Sequence, residues 1–274
     1  MTMDSGFPRS VTIYGTGLIG CSFALALKQT VPGVRIFGID SADILNRARS
    51  IGAIDTQASA PETTSDLIIL STPVGDILRL TGEMQPGSSL ILDVGSTKVD
   101  ICRIAEARGL PFVGGHPMTG SERSGPEAAS ADLFKGSRFF LCPISSSPPE
   151  AVAKLENVIR RIGALPTVIR PEEHDKLVAE LSHLPQILST VLAELTGDHR
   201  EFAGPGWKSV TRLAASPFHV WRDILMTSGS LPGELKIYVQ RLNDILDALE
   251  RRDLKELESV FERANNSFFD GPTG

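Results

Sequence analysis

Residues 11–20 read VTIYGTGLIG, and this stretch decides the fold. The apolar run Val11–Tyr14 has the composition of a buried strand and leads directly into the spacing Gly-x-Gly-x-x-Gly. Helix-compatible residues follow from Ser22 to Lys28. Glycine spacing alone is a weak signal, because glycines also cluster in plain structural turns. Between a strand and a helix, however, it is typical of a loop that binds a dinucleotide in a Rossmann-like fold.

The glycines of this loop have different predicted roles. Gly15 permits a tight turn, Gly17 lets the backbone approach a pyrophosphate, and Gly20 lets the helix pack closely on the strand. The phosphates would then lie against unpaired N–H groups at the start of the helix, where Leu18 and Ile19 follow Gly17. We therefore predict that residues 15 and 17–20 bind the cofactor.

Asp40 ends the second predicted strand, twenty residues beyond Gly20. A carboxylate at this place accepts hydrogen bonds from the adenosine ribose, and a 2′-phosphate would meet like charge there. The residues after Asp40, which are Ser41, Ala42 and Asp43, include no arginine to relieve that repulsion. The predicted cofactor is therefore NAD rather than NADP.

The first half of the chain alternates short apolar runs with segments of helical spacing such as 41–51 and 98–108. The predicted strands are Val11–Tyr14, Val34–Ile39, Leu67–Ser71, Ser89–Asp93, Phe112–Gly114, Arg138–Pro143 and Thr167–Ile169. Alternation of this kind predicts an α/β domain over residues 1–169, built on a doubly wound parallel sheet with helices on both faces.

After about Arg170 the sequence indicates helices and no convincing strand, which predicts an all-α domain over residues 170–274. Pro171 followed by two glutamates is typical of a helix start. A further helix, beginning near Gly233, has a wide apolar face. Its apolar residues are Leu235, Tyr238, Val239, Leu242, Ile245, Leu246 and Leu249. Such a face indicates a homodimer interface, with packing inside a single chain as the alternative.

Composition excludes several classes of partner. The 274 residues are 41% apolar and 22% charged, with a net charge of −6 and no basic stripe, so a nucleic-acid partner is not expected. No run approaches the ~18 apolar residues of a membrane span, and the N-terminus lacks a signal pattern. The three cysteines have no metal or redox spacing. We expect a cytoplasmic protein.

Three loops that follow predicted strands have suggestive sequences: residues 71–74, 93–98 and 115–118. Because the carboxyl ends of parallel strands meet at one edge of a sheet, these loops are expected to converge on one crevice. Thr72 and Pro73 are predicted to contact the cofactor there. His116 would lie beside the nicotinamide, which favours a reactive histidine over a solitary core histidine.

The chain resembles the prephenate/arogenate dehydrogenase family of tyrosine biosynthesis over nearly its whole length. Four segments occur in the family order: Gly15–Gly20, Asp93–Lys98, Gly115–Gly125 and Ser182–Pro185. The resemblance implies a Rossmann-like nucleotide domain followed by a helical dimerisation domain. Many members also have a C-terminal regulatory domain, which we do not expect here.

The resemblance implies NAD-dependent oxidative decarboxylation of prephenate to 4-hydroxyphenylpyruvate and CO₂. Arogenate dehydrogenase, or a cyclohexadienyl dehydrogenase that uses both substrates, is the alternative. His116 matches the family's catalytic histidine, whose neutral imidazole accepts the proton of the substrate hydroxyl. Ser96 matches a serine expected to bond the same hydroxyl or to orient the imidazole.

Three further residues match the family's substrate pocket. Arg212 is predicted to grip the ring carboxylate, since a guanidinium binds a carboxylate through two hydrogen bonds. His183 and Trp221 are weaker candidates, with helix packing and a core position as their alternatives. Gln186 stands where many members have a second histidine.

The side-chain end of the substrate is expected to meet the run from Trp207 to Trp221. This run contains Lys208, Arg212 and His219 but no Asp or Glu. Arogenate ends in an ammonium group, which would need a carboxylate partner. The cationic run therefore favours prephenate, unless Asp223 or a partner subunit supplies the acid.

Other functions are less consistent with these residues. His174 and His183 are nine residues apart and are predicted to face opposite sides of a helix, so no metal site is expected. A β-hydroxy acid dehydrogenase would share the nucleotide loop but has no use for His116 beside Ser96. A non-enzymatic nucleotide sensor would not need His116 together with Arg212.

Overall fold

The computed structural model describes residues 7–59, 65–120 and 123–269. These residues form two compact units, one that ends at Gly229 and one that begins at Ser230. Each unit is described by itself. The domain boundary expected between residues 169 and 170 stays a prediction.

The first unit is built on one eight-stranded sheet. Its strands are β1 (Ser10–Tyr14), β2 (Arg35–Ile39), β3 (Thr56–Gln57), β4 (Leu67–Leu70), β5 (Leu90–Asp93), β6 (Phe112–Pro117), β7 (Arg138–Pro143) and β8 (Leu165–Val168). Each predicted strand overlaps one of these. The two-residue strand β3 was not predicted, because it is too short to show a pattern.

Helices cover both faces of the sheet, and further helices of the first unit follow its last strand in the sequence. They are α1 (Leu18–Thr30), α2 (Ala42–Ser50), α3 (Val74–Glu83), α4 (Val99–Ala107), α5 (Ala151–Arg161), α6 (Pro171–Val178), α7 (Leu184–Thr196), α8 (Pro205–Thr211) and α9 (Phe218–Thr227). One core cluster includes Phe23 of α1 and Leu155 of α5, and a second includes Ile77 of α3 and Ile101 of α4. These two cores confirm the predicted doubly wound arrangement.

The strand order is β3-β2-β1-β4-β5-β6-β7-β8. From β3 to β6 this is the Rossmann order, with parallel pairing such as Val11 with Ile36 on one side and with Leu67 on the other. The direction of winding reverses between β1 and β4. In sheets of this type a ligand binds at that reversal, beyond the carboxyl ends of the strands.

Strand β7 is antiparallel to β6, with His116 opposite Phe140, so the predicted parallel sheet contains one antiparallel pair at this position. Parallel neighbours require a crossover, usually a helix. Between β6 and β7 the described residues include only a three-residue 3-10 helix, Pro126–Ala128. Strand β8 is again parallel to β7, and α5 provides the crossover.

Helices α6 and α7 are joined by a π-helical turn, Ala179–His183. A π turn places one more residue in the turn than an α-helix does. The segment therefore continues as one helix, but every residue after the turn is rotated relative to the sequence-based expectation.

The second unit consists of α10 (Leu231–Glu250) and α11 (Leu254–Phe269), which pack together. Four of the seven residues of the apolar face predicted on α10 are exposed in the single chain, from 47% at Val239 to 56% at Leu249, and the other three are half-buried. An exposed apolar face of this size is typical of a surface that another protein covers. Among the described residues no strand follows β8, and no helix is long and apolar enough to span a membrane.

Candidate active site

The glycines after β1 differ in what surrounds them. Gly15 has a φ of +85°, and a Cβ there would lie 2.4 Å from the Ser71 carbonyl oxygen. A Cβ on Gly20 would lie 2.0 Å from the carbonyl oxygen of Gly15. Gly17 precedes α1, and a Cβ on this residue would meet no atom within 4 Å, so Gly17 faces open space. Gly15 and Gly20 thus permit close packing of the chain, and Gly17 leaves room for a ligand.

Helix α1 begins at Leu18, so the N–H groups of Leu18 and Ile19 lie in its first turn. The first intrahelical hydrogen bond runs from Cys21 N to Gly17 O. The N–H groups before Cys21 have no intrahelical acceptor, as at any helix start, and they point in the direction where an anion binds. A pyrophosphate fits this end of α1.

Asp40 lies at the end of β2 and is exposed. Its Oδ2 accepts a hydrogen bond from Thr16 N at 2.8 Å, and its Oδ1 accepts one from Ser41 N at 2.7 Å. The carboxylate is therefore hydrogen-bonded to the glycine-rich loop and remains exposed to solvent. This is the placement expected of a ribose-binding acid.

The loop after β4 contains buried oxygens that lack partners. In the described parts of the chain, Ser71 Oγ and Thr72 Oγ1 are buried without a hydrogen bond. Pro73 directly precedes α3 and is exposed. Buried polar atoms without partners are costly in a folded protein, so these two hydroxyls are suited to bond a ligand. Together with the space at Gly17, they fit a bound dinucleotide.

His116 lies near the end of β6 and is half-buried. Its Nδ1 lies 2.9 Å from Nε2 of His174, a residue of α6. Nδ1 of His174 in turn lies 2.8 Å from Oδ1 of Asp175. The Asp175 carboxylate accepts hydrogen bonds from the backbone N–H groups of Lys98 and Val99, at 2.7 and 3.0 Å. A chain of hydrogen bonds thus connects His116 to the start of α4.

A buried ion pair lies beside this chain. Lys98 Nζ donates to Asp93 Oδ2, and both side chains are fully buried. Asp93 also accepts hydrogen bonds from Gly95 N at 2.8 Å and from Gly115 N at 3.1 Å. Burial raises the pKa of Asp93, and the three donors oppose this rise because they stabilise the ionised carboxylate. The pair therefore fixes the backbone next to His116 and places a buried positive charge near it.

The imidazole of His116 is neutral near pH 7. Burial holds its pKa well below 6.5, and the nearby His174, Lys98 and His183 lower it further. Burial also lowers the pKa of His174, against the opposing effect of its hydrogen bond to Asp175. A neutral imidazole can accept a proton, which is what a general base requires.

His183 and Trp221 are brought together. Their rings meet edge to face, with centroids 5.8 Å apart. His183 is buried, its Nδ1 lies 2.8 Å from Ser228 Oγ, and burial lowers its pKa to about 4. Trp221 is half-buried against the second core cluster. Their predicted roles in substrate binding stay predictions.

The half-turn offset expected between His174 and His183 is altered by the π turn between them. Both side chains are buried, and both lower the pKa of His116. The extra residue of the π turn rotates the later residues by about 100°, which removes much of the predicted half-turn offset. Among the described residues, no group of three or more His, Cys, Asp or Glu side chains could hold a metal ion.

Arg212 lies at the C-terminal end of α8 with its side chain exposed. Two side chains of α7 hold the backbone beyond it: Gln186 Nε2 donates to Leu213 O at 2.9 Å, and Ser189 Oγ accepts from Ala214 N at 3.0 Å. Gln186 is therefore used to position the segment after Arg212. That Arg212 binds the ring carboxylate stays a prediction.

Ser96 lies in the loop after β5 and is half-buried. Within the described residues its hydroxyl makes no hydrogen bond, so it is available to a substrate hydroxyl. His174 is hydrogen-bonded to Nδ1 of His116, and both roles considered for Ser96 stay predictions. Sequence reasoning missed His174 and Asp175 as partners of His116. Their adjacency at a helix start was the only available signal.

Two family models match the chain. Residues 23–168 match the nucleotide-binding domain of prephenate dehydrogenase, and residues 170–263 match its dimerisation domain. The chain is 34% identical to prephenate dehydrogenase from Bacillus subtilis, over 94% of this chain and 74% of that protein. It is 27% identical to cyclohexadienyl dehydrogenase from Zymomonas mobilis, over 94% of each.

Solved structures agree with these matches. The chain is similar to prephenate dehydrogenase from A. aeolicus in complex with hydroxyphenyl propionate and NAD⁺, with a TM-score of 0.86 and 25% identity. The match covers 96% of this chain and 98% of that one. The predicted fold class and the predicted dehydrogenase class are confirmed, and the chain belongs to the prephenate dehydrogenase family.

Proposed function

We propose that the protein catalyses the NAD-dependent oxidative decarboxylation of prephenate to 4-hydroxyphenylpyruvate and CO₂. The observation that carries the proposal is the neutral imidazole of His116, placed at the carboxyl end of β6. This is the edge of the sheet where the glycine-rich loop follows β1. Family membership and the NAD⁺ in the A. aeolicus structure support the choice of cofactor.

Different residues around the crevice would bind different parts of the cofactor. The start of α1 receives the pyrophosphate, Asp40 receives the adenosine ribose, and the orphaned hydroxyls of Ser71 and Thr72 find partners on the ligand. When bound, NAD supplies the acceptor for the hydride. Exposed Arg212 then provides a guanidinium for the ring carboxylate.

His116 moves one proton in this reaction. As hydride leaves the ring carbon that bears the hydroxyl, the imidazole accepts the hydroxyl proton and the ring becomes a dienone. The carboxylate then departs as CO₂, its bonding electrons enter the ring, and the resulting phenolate takes the proton back from His116. Aromatisation drives the cleavage, and the imidazole ends as it began.

Prephenate is favoured over arogenate by the surroundings of Asp223. Its Oδ1 accepts a hydrogen bond from Arg222 Nε at 2.8 Å, and its Oδ2 accepts one from Gly75 N at 3.1 Å. This carboxylate is therefore already engaged at the start of α3. Arogenate would then have to find another acid for its ammonium group. The alternative of dual specificity is kept open by the Zymomonas mobilis cyclohexadienyl dehydrogenase.

The test is a direct assay of the purified protein with NAD and either prephenate or arogenate, following the absorbance of the reduced nicotinamide. We expect kcat/KM to be at least about tenfold higher with prephenate, because the cost of leaving a buried ammonium unpaired exceeds ~1.4 kcal/mol. A preference for arogenate would overturn the substrate assignment. Absence of turnover with both would overturn the function.

The assembly and location belong to the same proposal. The exposed apolar face of α10 lies within the segment that matches the family's dimerisation domain, which supports a homodimer through the helical region. Cys21, Cys102 and Cys142 are free and buried. Unpaired cysteines are typical of a reducing compartment, which supports the cytoplasm.

A further inference from the structure

Two titratable side chains that the proposed reaction does not use directly, His174 and Asp175, are connected to His116 by hydrogen bonds. We propose that His174 and Asp175 are positioning residues that hold His116 in the one tautomer able to act as base. The inference rests on the proposed function for the identity of the base. Its geometry is independent of the substrate.

The direction of the hydrogen bonds follows from the end of the chain. An ionised carboxylate only accepts hydrogen bonds, so the proton between Asp175 and His174 belongs to Nδ1 of His174. A neutral imidazole with a proton on Nδ1 has a lone pair on Nε2. That lone pair accepts a hydrogen bond from Nδ1 of His116, 2.9 Å away. The lone pair of His116 is therefore on Nε2, its other ring nitrogen.

Asp175 is itself fixed by the backbone. Both of its oxygens accept N–H groups at the start of α4, from Lys98 and from Val99. These donors stabilise the charged carboxylate and prevent it from rotating. A rigid acceptor at one end of the chain sets the proton positions on both histidines.

The groups that face the two histidines also favour this arrangement. Lys98 lies on the α4 side with its partner Asp93, and His183 lies on the π turn. The ring of Phe140, on β7, meets His174 edge to face with centroids 5.3 Å apart. Lys98 and His183 lower the pKa of His116 and so disfavour its protonation to the imidazolium. Both histidines thus stay neutral, which leaves the tautomer as the property that Asp175 controls.

Two variants test this proposal. Asp175→Ala removes the acceptor that keeps the proton of His174 on Nδ1, so the tautomer of His116 is no longer fixed. His174→Gln breaks the connection and leaves Asp175 bonded to α4. We expect each variant to lower kcat by roughly 10²–10⁴-fold with little change in KM, because binding does not depend on the tautomer. The exposed His199→Gln is the matched control and should retain full kcat.

A double variant that combines the substitutions at residues 174 and 175 shows whether the two residues act through one mechanism or independently. If Asp175 acts only through His174, the double variant should be no slower than the slower single variant. Multiplicative losses would overturn the proposal. So would near-normal kcat in either single variant with the fold intact.

A spectroscopic measurement keeps the proposal independent of turnover. In protein labelled with ¹⁵N-histidine, the ring nitrogens of neutral histidine have different shifts when protonated and when unprotonated. We expect His116 to carry its proton on Nδ1 in the wild type and to populate both tautomers in Asp175→Ala. The opposite wild-type tautomer would overturn the positioning role. An inactive wild-type protein with the expected tautomer would instead overturn only the proposed function.

Discussion

The two sides of the crevice are built by opposite means. The nucleotide side, formed by the glycine-rich loop after β1, uses residues without side chains. Gly15 permits a turn, Gly17 the approach of a ligand and Gly20 a close helix contact. On the histidine side it buries charged and polar side chains, including the ion pair of Lys98 with Asp93. The first side depends on empty space and backbone geometry, and the second on hydrogen bonds and charge.

This difference determines which property each side controls. The glycine-rich loop binds its ligand through backbone groups. Because many dehydrogenases share that ligand, the loop does not indicate which reaction is catalysed. The histidine side holds a neutral base and thereby decides the chemistry. Changes on the histidine side should therefore affect turnover and acid stability, whereas changes on the nucleotide side should affect cofactor binding and packing.

The largest expected effect is on turnover. His116→Asn should lower kcat by about 10²–10⁴-fold, because it removes the group that accepts the hydroxyl proton. NAD affinity, measured by calorimetric titration, should stay the same, because His116 is not in the glycine-rich loop. Near-normal turnover would show that the base lies elsewhere. A loss of NAD affinity would show that the two sides are not separable.

The histidine side should also make the fold sensitive to acid. The pKa of His183 is lowered from 6.5 to about 4, so the unfolded chain binds more protons than the folded one between these values. The contribution of neutral His183 to the free energy of unfolding is fully present above about pH 6.5. It should fall by roughly 3 kcal/mol as the pH drops to about 4. His116 and His174 act in the same direction.

Urea unfolding at several pH values measures this fall. In His183→Gln the loss of stability on acidification should be smaller than in the wild type. In the control His199→Gln it should be unchanged, because His199 is exposed. Equal acid sensitivity in all three proteins would contradict the account of a buried neutral His183.

A matched pair of alanine substitutions tests the nucleotide side. Gly20→Ala places a methyl group against the carbonyl oxygen of Gly15 and should destabilise the fold by about 1–3 kcal/mol. Gly17→Ala meets no protein atom within 4 Å, so its melting temperature should not fall. It should still weaken NAD binding by at least about tenfold, since the methyl group lies where the pyrophosphate approaches. Equal behaviour of the two variants would contradict this division.

The smallest expected effect concerns the choice between NAD and NADP. Asp40→Ser removes the charge that a 2′-phosphate would meet and should raise kcat/KM for NADP relative to NAD by up to about tenfold. The effect should shrink at high salt, because Asp40 is exposed. Asp43→Ser is the control, and its ratio should stay near that of the wild type. Equal use of both cofactors by the wild type would contradict the assignment.

The nucleotide side was predictable because its signal is local. Strand β1, the glycine spacing and α1 lie within one continuous stretch, and each residue's role depends on its immediate neighbours. The direction of β7 was not predictable in this way. Its antiparallel pairing with β6 depends on how the connection folds, and apolar runs look alike in either direction.

The histidine side was only partly predictable because its contacts are remote in sequence. His116 and His174 are 58 positions apart, and Lys98 and Asp175 are 77 apart. The loop that contains Asp93 and Lys98 was recognised, but no pattern showed that the two side chains would pair in the core. The π turn was missed as well, because the apolar period is the same on both sides of it and only the phase of the pattern shifts.

In the proposed homodimer, the exposed apolar face of α10 makes the stability of the protein depend on its concentration. Dimers form by mass action, so the free energy gained by covering this face depends on how much partner chain is present. Each tenfold dilution removes about 1.4 kcal/mol of that contribution per mole of dimer. Assays at nanomolar enzyme and spectroscopy at hundreds of micromolar therefore observe the same chain with different margins against unfolding.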